Sequence, residues 1–80
     1  MIHLLVISPE GTVADVQTAS VSLPGVVSAF TVLKDHAPLI TSLDPGKVSW
    51  VGTDGKEGSV AVASGFVEVR NNTVSVYVEL

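Results

Sequence analysis

The chain of 80 residues contains no cysteine. That removes disulfides, thiolate metal sites and a cysteine nucleophile from consideration. Small secreted domains lean on such staples, so their absence favours a reducing compartment. Positive charge is the next scarcity: Lys34, Lys47, Lys56 and Arg70 stand alone against eight acids, for a net charge of −4. Isolated bases do not make the clustered Lys/Arg surface that phosphate backbones or anionic lipid headgroups require, which argues against nucleic acid and against direct electrostatic attachment to a membrane. Long apolar runs are missing too. The opening "MIHLLVISPEG" has only a few consecutive apolar residues and no basic leader. It falls short of a signal-peptide core or of the roughly 20 residues of a membrane span.

What the chain has in quantity is valine, at sixteen positions. β-Branched side chains favour extended backbone. Turn signals recur along the whole length: "SPEG", "LPG", "KDHAP", "DPG", "TDGKEG", "SG" and "NN". Short apolar runs at that spacing predict an all-β sandwich or barrel of roughly nine strands. The runs are "IHLLVI", "TVADV", "TASVSL", "AFTVL", "PLITSL", "VSWVGT", "GSVAVAS", "GFVEVR" and "NTVSVYVEL". In the last, Val74, Val76 and Val78 point one way while Ser75, Tyr77 and Glu79 point the other. In "GFVEVR", Val67 and Val69 oppose Phe66, Glu68 and Arg70. Asp54-Gly55 and Asn71-Asn72 read as hairpin turns, because Gly, Asn and Asp tolerate positive φ. The 46% of hydrophobic residues exceed what a domain of this size hides easily, since it buries only about 60% of its unfolded surface. Apolar surface left outside marks a partner.

Candidate chemistry is sparse. Asp35-His36 is an acid beside one of two histidines. Neighbours on an extended chain point to opposite sides, so they do not address one substrate. The alternative to an interaction module is a small ligand-binding or enzymatic domain centred on His36, with Asp35 and Ser22 or Ser64 lining a pocket. His3 and His36 lack the paired spacing of a metal site, and no phosphate loop or nucleophile elbow is present. No cofactor is expected. Phe30 and Phe66 are expected in the core, and Trp50 half-buried.

The order of the motifs carries more. "HLLVISPEG", "VSLPG" at 21–25, "FTVLKDHAPLITSLDPGKV" at 30–48 and "ASGFVEVRNNTVSVYVE" at 63–79 together resemble the N-terminal β-sandwich domain of the epsilon subunit of F-type ATP synthases, called delta in mitochondria. The resemblance implies a β-sandwich or flattened barrel of about nine to ten mostly antiparallel strands in two sheets, and a non-catalytic rotor component of the central stalk. In the family one surface packs on the gamma subunit and one end rests on the c ring, coupling proton-driven rotation to the catalytic head. Membrane association would come only through that complex, at the cytoplasmic face of a bacterial inner membrane.

Carried over by position, the resemblance implies partner contacts at Ser8, at the loop Val26, Val27, Ser28 and Ala29, at His36 and Ala37, and at Thr41. Two departures stand out. Apolar Val26, Val27 and Ala29 occupy positions where family members often carry acids, and Lys34-Asp35 replaces the usual Pro-Gly, so that turn must be built differently. Family members also commonly continue into a helical hairpin that restrains hydrolysis. With the sequence ending at Leu80, the expectation is one domain over 1–80 without that brake.

Overall fold

A computed structural model describes residues 1–80, and every regular element in it is a strand. In chain order these are β1 (Ile2–Ser8), β2 (Gly11–Leu23), β3 (Phe30–Val32), β4 (Leu39–Leu43), β5 (Gly46–Gly52), β6 (Glu57–Val62), β7 (Ser64–Arg70) and β8 (Thr73–Glu79). They form one hydrogen-bonded sheet in the order β4-β7-β8-β1-β2-β5-β6, with β3 also paired to β2. All pairings are antiparallel except that of β1 with β8. The all-β reading holds, with eight strands. "TVADV" and "TASVSL" are a single strand of 13 residues, because polar Gln17 and Thr18 continue the extended backbone rather than break it.

Strand β2 makes the wrap. Its residues up to Thr18 pair with β1, and from Thr18 onward its other edge pairs with β5. Thr18 is fully buried at this changeover and its hydroxyl donates to the Ile2 carbonyl at 3.2 Å, so the polar group is satisfied. Laid flat, a path of seven strands would span about 29 Å at the usual ~4.8 Å spacing. Yet fourteen buried aliphatic residues, drawn from every strand, form one cluster, and the shortest axis of the molecule is 17 Å. The sheet is therefore folded over into two facing layers. Residues 24–26 extend β2 and close the wrap on the far edge: Gly25 bridges Leu43, Val26 N–H donates to the Ser42 carbonyl at 3.0 Å, and Asp44 N–H donates to the Pro24 carbonyl at 2.8 Å.

The core is almost entirely valine with a few leucines and one isoleucine. Alternation places Leu4 and Val6, Val67 and Val69, and Val74, Val76 and Val78 inward in register. Trp50 and Phe30 are partly buried against this cluster. Phe66 is not: its side chain lies on the outer face, 48% exposed. The period of two that turns Val67 and Val69 inward turns Phe66 outward, and ring size does not override it.

Two substitutions test this packing by urea unfolding. Leu4→Ala removes a fully buried side chain and is expected to lose about 2–4 kcal/mol. A Cβ on Gly65 would run into the Tyr77 carbonyl and lie 3.1 Å from the Val78 Cα. These are backbone atoms of the paired strand, so Gly65→Ala is expected to separate β7 from β8 and lower the midpoint markedly. A parent-like midpoint for either variant would contradict the packing.

Candidate interaction surface

The outside of the domain has two unlike faces. On the layer β4-β7-β8-β1 the register aligns Ser42, Phe66, Tyr77 and Ile7 in one row, and Ile40, Glu68, Ser75 and Leu5 in the next. Phe66 and Tyr77 stack with ring centroids 4.9 Å apart, within the range of favourable offset stacking. Ile40, diagonal to Phe66, is 71% exposed. A shallow, mostly apolar cleft of about 380 Å³ runs from this aromatic pair to Ile7, Ser8 and Pro9. By register and alternation Asp15, Glu68 and Glu79 lie on the same face, and Arg70 is the one Arg or Lys in β4, β7, β8 and β1. His3 on this face meets Asp15 at 2.6 Å.

The opposite layer is different. Thr31, Ser22, Ser49 and Ser59 align across β3, β2, β5 and β6, and Ser22 and Thr31 share a hydrogen bond of 3.1 Å. None of the large exposed apolar side chains lies on β3, β5 or β6. Hydroxyl groups of this kind are solvated at little cost, whereas stacked exposed rings are not.

The sequence-predicted contact residues fall at three places. Ser8 ends β1 and is itself buried; its hydroxyl donates to the Glu10 carboxylate at 3.1 Å and to the Gly11 carbonyl at 3.3 Å, so it shapes the turn. The loop Val26–Ala29 projects from the bridged segment beside Ser42, with Val26 half exposed and Val27 93% exposed. Leu33 to His36 form a tight turn, not an extended strand: His36 N–H donates to the Leu33 carbonyl at 3.1 Å and Asp35 has φ 64°. The His36 ring lies 6.4 Å from that of Phe30, at the base of the 25–29 loop. Ala37 follows at the surface. Thr41 pairs with Val67 and points to the inner side of β4, so the side chains β4 offers outward are its neighbours Ile40 and Ser42. Ile40, Phe66 and Tyr77 were not singled out from sequence as contacts, although strict alternation in β7 and β8 marks the latter two as outward.

Nothing converges on His36 as an active centre. Its Nδ1 lies 2.7 Å from the Ala37 carbonyl, Asp35 is engaged by Asn72, Ser22 is bonded to Thr31, and Ser64 pairs with Glu79. No group of three potential ligand side chains is assembled for a metal.

A family model described as the ATP synthase delta/epsilon chain β-sandwich domain matches residues 1–80. The chain belongs to this family. ATP synthase epsilon chains from Lawsonia intracellularis and Paracoccus denitrificans are each 40% identical to it, over 98% and 91% of this chain and 58% and 49% of their own lengths. The chain thus spans about half the length of the curated relatives it matches. Among solved structures, a chain of the Euglena gracilis mitochondrial ATP synthase OSCP/F1/c-ring assembly superimposes with TM-score 0.86 at 18% identity, over 96% of this chain and 49% of that one. A chain of the Tetrahymena thermophila mitochondrial ATP synthase central stalk/c-ring assembly gives 0.83 at 15% identity, over 99% and 63%. The fold is therefore shared by chains of very divergent sequence.

Because Ile40 and Phe66 of this delta/epsilon sandwich point outward, Ile40→Thr and Phe66→Thr should each stay within about 1 kcal/mol of the parent in urea unfolding. A loss on the scale of Leu4→Ala would mean that these side chains belong to the core.

Proposed function

We propose that this chain serves as a non-catalytic subunit of the central stalk of a proton-translocating F-type ATP synthase, linking the gamma subunit to the c ring. Family membership and the names of its relatives support the assignment. The observation on this chain that carries it is the grouping of exposed Ile40, Phe66 and Tyr77 on one sheet face, with exposed Val26 and Val27 on the adjoining loop. An amphipathic outer layer of this sort is stable when covered, and a rotor that transmits torque needs a fixed joint rather than an active site. On this reading Ile7, Ile40, Phe66 and Tyr77 pack on gamma, with Ser8 shaping the turn at the end of that surface. Val26 and Val27, with Ser28 and Ala29, meet the polar loops of the c ring through apolar contact. His36, Ala37 and the β4 edge at Thr41 sit at the border of the two. The chain acts at the cytoplasmic face of the coupling membrane, held there by the complex.

The test is affinity capture of the tagged protein from membrane extracts of its own organism, followed by mass spectrometry. Gamma, the c subunit and the catalytic subunits should be recovered with the wild-type bait. Phe66→Glu should retain the fold and lose gamma, since burying an unpaired carboxylate opposes docking. Val26→Glu together with Val27→Glu should weaken retention of the c ring while gamma is still recovered. Failure of the folded wild-type bait to recover any of these subunits would contradict the assignment.

A further inference from the structure

We propose that Asp35 and Asn72 are a positioning pair that presents the His36–Ala37 corner to the gamma subunit, a role that rests on the stalk assignment above. The tight turn from Leu33 to His36 requires positive φ at its third residue, a conformation that costs about 1–2 kcal/mol for most side chains and less for Asp or Asn. Asp35 adopts it at φ 64° without a glycine. Two hydrogen bonds from a residue 37 positions away hold it there. Asp35 N–H donates to Asn72 Oδ1 at 2.6 Å, and Asn72 Nδ2 donates back to Asp35 Oδ1 at 3.1 Å.

Asn72 is itself firmly placed. It occupies the β7–β8 turn with Asn71, both at positive φ, and its carbonyl accepts from His3 N–H at 2.9 Å. The loop corner is thereby fastened to the central strands rather than left to its own turn preference. The consequence falls on His36. A carbonyl can only accept, so Nδ1 carries the proton donated to Ala37. In the tautomer with that proton on Nδ1, Nε2 is an acceptor, in an orientation set by the turn and by the neighbouring Phe30 ring. The partner group suited to it is a hydrogen-bond donor. Both Asp35 and the bonds to Asn72 are solvent-exposed, so the pair contributes little to global stability. Its effect is to pre-organise the corner, which lowers the ordering cost of docking.

The test uses Asn72→Gly, Asn72→Asp and the exchanged double variant Asp35→Asn/Asn72→Asp in the complete protein. Affinity for the purified gamma subunit and hydrogen exchange at the His36 amide are measured for each. Asn72→Gly keeps the positive φ but removes both side-chain bonds. It should unfold near the wild-type midpoint, exchange the His36 amide faster, and bind gamma about three- to tenfold more weakly.

Asn72→Asp sets two carboxylates face to face. With no side-chain donor left between the two residues, it should bind gamma at neutral pH at least as weakly as Asn72→Gly. The exchanged double variant restores a donor opposite each acceptor and should bind like wild type at neutral pH. Asn72→Gly binding as tightly as wild type, or a double variant no better than Asn72→Asp, would overturn the positioning role. Wild-type protein that does not bind gamma would instead remove the stalk assignment, and this role with it.

Discussion

Everything in this domain depends on a single aliphatic core held by strands that can each give it only one face. Fourteen buried side chains, ten of them valine, are the whole cluster. Valine is short, stiff at χ1 and without polar atoms, so a layer of it packs closely only when two sheet faces meet at regular register. The sheet must therefore fold over on itself, and β2 must be long enough to belong to both layers. The buried hydroxyl of Thr18 and the closing bridge at Gly25 follow from that requirement. The outward residues are released from it, and function is written there.

Much of this was legible in the chain. Alternation in β7 and β8 announced which valines would be inside, and the Asp54-Gly55 and Asn71-Asn72 turns formed where Gly and Asn permit positive φ. What was misread followed from treating residue type as stronger than period. Phe66 is expected in the core as an aromatic residue, although its neighbours Val67 and Val69 commit it to the outside. The strand β2 reads as two runs on either side of Gln17, because a sequence does not reveal that one strand changes partners midway. The Asp35–Asn72 contact was beyond reach, since it joins residues 37 apart through side chains that each look like ordinary turn formers.

The contrast between the two outer faces links the fold to its role. One carries stacked aromatic rings, aliphatic side chains and an acidic surround; the other carries a row of hydroxyls. A domain in water has no use for the first arrangement by itself, and has no difficulty with the second. Buried against a neighbour, the aromatic pair would supply the large, rigid contact area typical of interface centres, with the surrounding acids favouring a partner that brings positive charge. On the proposed stalk reading, the corner at His36 would add orientation to this attachment. A rotor joint needs both, since torque is carried by a contact that neither slides nor reorients.

The absence of cysteine makes the most direct measurement straightforward. Single cysteines placed at Val27, Phe66 and Tyr77 on one side, and at Ser49 and Ser59 on the other, would each react with a thiol reagent at a rate set by exposure. Comparing the free protein with the assembled ATP synthase tests which face is covered. Positions 27, 66 and 77 should become protected on assembly while 49 and 59 stay reactive. Protection at 49 and 59 with undiminished reaction at 66 and 77 would contradict this expectation.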